Sequence, residues 1–313
     1  MQHVFALSHP GSPAGEAILE KLEESGISPD SLILLDEETL VGTRYRFGGT
    51  HLKSLDKTGF DYSGCSVLLM PEADPLMAQE AISAGCLLVS HQSGQEAEAH
   101  LCEAGQSLDL GYSDTTVNLV GPELACILPV LSALNRWQSI VRVNTVLMRS
   151  AEFYGKTGVD ELASQTVSLL NAREIQKTVY REQIAFNLIP EPSGESISTE
   201  LDRFIGNDKN MVQMVNIPFF HGFAASIQLE FESDVGFEAC KEQIESIQNV
   251  TVKAQPATPI SDCNQSFSCV ISLLEQPQDR ASSLQFWLIA DPMRYGIANN
   301  YVNVADFLLK SFL

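Results

Sequence analysis

Four short runs in the first third of the chain are apolar almost throughout: Val4-Phe5-Ala6-Leu7, Leu32 to Leu35, Cys65 to Met70 and Cys86 to Val89. A strand with one wet face alternates apolar and polar residues, whereas a strand covered on both faces does not. Helical stretches separate these runs. Ala17, Ile18 and Leu22 recur at helical spacing up to Ser25-Gly26, and Ala78 to Ala84 reads as a helix stopped by Gly85. Apolar strands alternating with helices predict a parallel sheet covered on both sides, a doubly wound, Rossmann-like α/β region.

From Gly121 the pattern changes. Glu123 to Leu134 reads as a helix, as do Val159 to Leu170 and Phe237 to Ile247. Strand-like runs follow at Met214 to Ile217, Ser226 to Phe231, Val250 to Val252, Phe267 to Leu273 and Leu284 to Ala290. Several alternate Val, Ile or Phe with polar residues, which suits a mixed sheet covered by helices on one face: an α+β region. The polar segment Pro190 to Gly206 reads as a loop or lid, and Asn300 to Leu313 as a closing helix. A length of 313 residues accommodates two such domains.

Charge narrows the partners. The chain has 40 Asp and Glu against 19 Lys and Arg, a net charge of −21. Nucleic-acid binding needs clustered cations to displace counterions, so a phosphate backbone is excluded as a partner, and an anionic membrane surface for the same reason. No apolar run approaches the ~18–20 residues of a membrane span. Met1 to Leu7 lacks the length and basic start of a secretory signal. Seven scattered cysteines form no disulfide framework or metal-ligand spacing. The expectation is a reduced, cytoplasmic protein without a metal.

The loop between the first strand and first helix is His9-Pro10-Gly11-Ser12-Pro13-Ala14-Gly15. At this place glycines let a backbone approach a pyrophosphate seated on the helix N-terminus. Gly11, Ser12, Pro13, Ala14 and Gly15 are therefore candidate cofactor-binding residues, although Pro10 and Pro13 each remove an N–H donor. The other reading is an ordinary strand-to-helix turn. Asp36 follows Gly15 by about the 20 residues at which an acid meets an adenosine ribose. With Glu37 and Glu38 beside it, a 2′-phosphate would be repelled, so any dinucleotide here is NAD rather than NADP. A solvated acidic turn is the alternative. Cys126 lies near a helix start but within an apolar run, which marks a core thiol. His221, beside Gly222, is a possible base; His91 and His100 show no evident partners.

The order of several motifs resembles the aspartate-semialdehyde dehydrogenase family over almost the whole chain. They are Ala14-Gly15, Ala84-Gly85-Cys86-Leu87-Leu88-Val89, Gly155-Lys156-Thr157-Gly158 and Ala185-Phe186-Asn187-Leu188-Ile189-Pro190. Pro218-Phe219-Phe220-His221-Gly222 and Phe286-Trp287-Leu288-Ile289-Ala290-Asp291 with Arg294-Tyr295-Gly296 complete the set. Leu162-Ala163-Ser164-Gln165 and Gln183 to Asn187 look most like the Usg-type paralogues, which have no established reaction.

The resemblance implies a Rossmann-like domain of residues 1–122 and 291–313 and an α+β dimerisation domain of residues 123–290, assembled as a homodimer. It also implies NADPH-dependent chemistry through a cysteine thioester, and here the residues depart from it. The nucleophile position falls on Leu124, which cannot form an acyl-enzyme, and the general-base position on Phe223. The substrate-carboxylate Arg falls on Asn216, the active-site Gln on or near Arg149, and the phosphate-gripping Arg within Gln92 to Glu96, where none exists. If the chain is extended there, His221 and Phe223 share a face about 6.6 Å apart. The implied function is a catalytically inactive homologue that binds a ligand or partner. The alternative is an active NAD(P)-dependent oxidoreductase on another substrate, without a thioester.

Overall fold

The computed structural model describes residues 4–91, 100–101, 114–192, 194–277 and 279–311. They form two units, Met1–Pro122 with Ile297–Leu313, and Glu123–Gly296. Residues 291–296, assigned to the first domain above, fall in the second unit.

The first unit begins β1 (Phe5–Ser8), α1 (Pro13–Ser25) and β2 (Leu32–Asp36). A hairpin of β3 (Arg44–Phe47) and β4 (Thr50–Lys53) follows, then β5 (Leu55–Asp56), β6 (Val67–Met70), α2 (Pro75–Ser83), β7 (Leu87–Ser90) and β8 (Thr116–Asn118). Six strands form one parallel sheet in the order β5-β2-β1-β6-β7-β8, and β3 with β4 forms a separate pair. Every residue of β1 and β6 is buried, which is why those runs carry no polar alternation. Local chemistry fixes the helices. Ser12 and Asp74 cap α1 and α2 with a proline next in line, and Gly26 closes α1 at φ 79°.

The second unit contains α3 (Pro122–Trp137), β9 (Ile140–Arg149), α4 (Gly155–Leu170), β10 (Ile189–Glu191), α5 (Gly194–Ile205), β11 (Met211–Asn216) and β12 (Phe223–Phe231). It continues with α6 (Phe237–Glu245), β13 (Val250–Val252), β14 (Cys269–Glu275) and β15 (Ser283–Ala290). Its seven-stranded sheet runs β10-β11-β9-β12-β15-β14-β13 and is mixed: β11 lies parallel to β9, whereas β12 is antiparallel to both β9 and β15. Closing the chain, α7 (Asn299–Ser311) belongs to the first unit, where the Tyr301 hydroxyl donates to the Met70 carbonyl over 2.9 Å.

Three local expectations are corrected. The segment 190–206 is a strand and a helix rather than a lid, because Leu201 and Ile205 fall on one helical face and are buried while the polar residues take the other. His91 is not without a partner: its backbone N–H and Nδ1 lie 3.1 and 3.0 Å from the Tyr301 hydroxyl. His221 and Phe223 do not share a face. Gly222 takes φ 100° between them, leaving the His221 side chain 59% exposed and Phe223 fully buried.

Candidate functional site

In the first unit the loop 9–15 has spent most of its donors. His9 N–H goes to the Leu35 carbonyl, Ser12 N–H to the His9 carbonyl and Gly15 N–H to Ser12 Oγ over 3.1 Å. Pro10 and Pro13 have none to give. Among the described residues, Gly11 and Ala14 keep the remaining uncommitted N–H groups of this loop. Gly15 must be glycine, since a Cβ there would overlap the His9 carbonyl.

Asp36 closes β2 and is 1% exposed. Its Oδ2 accepts from the Tyr45 hydroxyl at 2.9 Å, and that hydroxyl also lies 2.9 Å from where a Gly11 Cβ would stand. Tyr45 on the hairpin thus occupies the space between the two groups expected to meet a ribose and a pyrophosphate. Burial and the Asp36 carboxylate hold the phenol well above its ordinary pKa, so it stays a donor. Beside it, the Lys57 ammonium bridges Glu37 and Asp74 at 2.5 and 2.7 Å.

In the second unit, sheet register gathers the positions that the resemblance singled out. Arg149 ends β9, with Asn216 opposite it on β11 and Phe223 opposite it on β12. The guanidinium donates to Asn216 Oδ1 at 3.2 Å, Glu123 Oε1 at 3.1 Å and the Tyr154 hydroxyl at 3.1 Å. Asn216 Nδ2 donates onward to Glu191 Oε1 at 2.7 Å and to the Tyr154 oxygen at 3.0 Å. Glu123 comes from the first turn of α3, next to Leu124, which is 1% exposed. Phe223 packs against Phe153 with ring centroids 6.0 Å apart. The site's cation is met on every side by groups of its own chain.

A second cluster surrounds Glu152 in the short turn Ala151–Tyr154. The carboxylate is 5% exposed and accepts from Ser150 Oγ, from the Gly222 N–H and from His221 Nδ1 at 3.2 Å. The hydrogen bond to Glu152 raises the imidazole pKa, against a smaller opposing effect of burial. Nδ1 is fixed as donor because a carboxylate only accepts. This histidine lines a cavity of about 200 Å³ with Pro259, Ile260, Cys263 and Asp291. Burial raises the Asp291 pKa, although the Met293 and Arg294 N–H groups donate to it.

Sequence reasoning placed Arg149, Asn216 and Phe223 but missed Glu123, Glu152, Tyr154 and Glu191. An acid directly before Leu124 was a usable signal for the first. Nothing marked Glu152, whose histidine partner is 69 residues away in sequence. Cys126 is fully buried, and burial raises its thiol pKa well above the ordinary value. Residues 92–96, the expected place of the phosphate clamp, lie outside the described residues.

A family model described as semialdehyde dehydrogenase, dimerisation domain, matches residues 128–295. Aspartate-semialdehyde dehydrogenase 2 of Vibrio cholerae is 24% identical over 330 residues, covering 95% of each chain. The USG-1 protein homolog of Pseudomonas aeruginosa is 24% identical over 324 residues, covering 96% of this chain and 95% of that one. The crystal structure of aspartate semialdehyde dehydrogenase II from Vibrio cholerae complexed with ASA has a TM-score of 0.88 at 23% identity over the whole of both chains. That likeness gives the fold: a Rossmann-like parallel sheet with a mixed-sheet α+β domain.

Proposed function

The chain belongs to the semialdehyde dehydrogenase family, and on that premise we propose that it is a homodimeric member that keeps the fold without the thioester dehydrogenase reaction and works by binding a ligand or partner. The observation that carries this reading is the closed network around Arg149. The one guanidinium at the matching positions is paired to Glu123 and shared with Asn216 and Tyr154. An acidic substrate would have to displace Glu123 to reach it. At the nucleophile position, Leu124 offers no group that can form or release an acyl intermediate.

The residues of the first unit do not fit a dinucleotide. Tyr45 stands over Gly11 and holds Asp36, while the loop keeps few N–H donors for a pyrophosphate. Dimerisation draws support from the matched domain and from the central sheet. Val146, Ser226 and Trp287 face one another across β9, β12 and β15 and are half-buried, whereas their neighbours Leu147, Ala225 and Leu288 are fully buried. Among the described residues no helix is long and apolar enough to cross a membrane.

Intact-mass spectrometry tests this reading. After incubation with aspartate semialdehyde and NADP as hydride acceptor, with phosphate omitted so that an acyl-enzyme would persist, the protein should carry no acyl adduct; an acyl adduct that appears with an equivalent of NADPH would overturn it.

The Glu152–His221 pair favours one alternative, an oxidoreductase acting on another substrate without a thioester. A buried carboxylate orienting a half-exposed imidazole beside a cavity is a common acid–base arrangement. This alternative requires saturable NAD or NADP binding, so a flat calorimetric titration of both dinucleotides removes it.

A further inference from the structure

The β3–β4 hairpin has two unlike faces. Tyr45, Phe47 and Leu52 point one way and are buried or half-buried. Arg44, Arg46, His51 and Lys53 point the other way, and all are exposed. Register sets Arg44 directly opposite Lys53 and Arg46 directly opposite His51. Like charges facing each other across an antiparallel pair destabilise it. No carboxylate among the described residues forms an ion pair with any of the four. The chain has 40 acids, yet none occurs from Thr39 to Leu55. A basic face without carboxylate partners on so acidic a protein is unbalanced from within.

We propose that this face is a docking surface for an extended acidic segment of a partner protein, with carboxylates on alternate residues. Alternate residues of a strand repeat every ~6.6 Å on one face, which is the spacing of Arg44 and Arg46 and of His51 and Lys53. Among the described residues β3 and β4 pair only with each other, so their outer edges have backbone groups to offer an added strand. Such a strand would set its acids beside the basic rows at about 4.8 Å. Single-stranded nucleic acid is a poorer occupant. It binds by stacking bases on aromatic rings as well as by charge, and here Tyr45 and Phe47 lie on the opposite face. A long polyanion would also meet the remaining acidic surface, whereas a short segment stays within about one Debye length, ~8 Å, of the patch.

The test is fluorescence anisotropy with the full chain and a labelled ten-residue peptide of alternating Glu and Thr. A peptide of the same composition with its glutamates in one block and an oligothymidylate of equal charge are the comparisons. The alternating peptide should bind saturably at low salt. The Arg44→Glu/Lys53→Glu variant should weaken it about tenfold or more, with circular dichroism and melting temperature unchanged. Equal binding by the variant would overturn the proposal, as would no binding, tighter binding of the blocked peptide, or tighter binding of the oligonucleotide. If a fold change in the variant confuses the result, Arg46→Gln alone must still weaken the alternating peptide. Self-association of the wild-type chain abolished by Arg44→Glu/Lys53→Glu would assign the surface to a second copy instead, and so contradict it.

Discussion

Arg149 Nη1 lies 3.1 Å from Glu123 Oε1, with both side chains nearly buried, so the strand β9 and the first turn of α3 are tied by an ion pair. Removing one partner leaves a charge in a place that water barely reaches. Arg149→Met should therefore cost about 3 kcal/mol, whereas Glu123→Leu/Arg149→Met should recover much of the loss. Urea unfolding of both singles and the double gives the coupling; additive losses would mean the two groups act independently.

The Tyr45 hydroxyl is the donor that the Asp36 carboxylate is seen to use from a side chain. Tyr45→Phe removes it and strands a buried acceptor, at a cost of about 1–3 kcal/mol. A variant as stable as the wild type would show that Asp36 is satisfied in another way.

Two histidines should bend the pH–stability curve in opposite senses. Burial lowers the His91 pKa to about 4. The unfolded chain then takes up a proton near ~6.5 while the folded chain does not, so about 3 kcal/mol is lost as pH falls from ~6.5 toward 4. His221 is raised by Glu152 instead. Its contribution is complete below ~6.5 and disappears as pH rises through the folded value. NMR titration should show the His221 imidazole returning toward its ordinary range in Glu152→Gln, and denaturation of His91→Gln should show a flattened acid limb.

The matched dimerisation domain predicts an interface on the open face of the central sheet. Ser226→Arg puts a cation in the middle of that face, opposite Val146 and Trp287. In light scattering the wild type should have the mass of a dimer and the variant that of a monomer. A dimeric Ser226→Arg would place the interface elsewhere.

The parallel sheet was legible because β1 and β6 are buried throughout, and β2 and β7 at all but one residue each, so that all four read as apolar runs. Where an element shows water one face, the signal faded. Ten-residue β9 interleaves Arg142 and Asn144 with its apolar residues, and α5 hides Leu201 and Ile205 among polar neighbours. The basic hairpin was silent for the same reason. At the site, a motif located Leu124, Asn216 and Phe223, but partners contributed by distant segments were invisible. Glu123 reaches Arg149 across 26 residues and Glu191 reaches Asn216 across 25.

The proposed function requires that this chain no longer carries out the thioester dehydrogenase reaction. Its test is the initial rate of NADP reduction by the purified protein with aspartate semialdehyde and phosphate, measured beside the Vibrio cholerae relative. The trace should be indistinguishable from a blank without protein, and unchanged in Phe223→His. Turnover by the wild-type chain at a rate near that of the relative would contradict it.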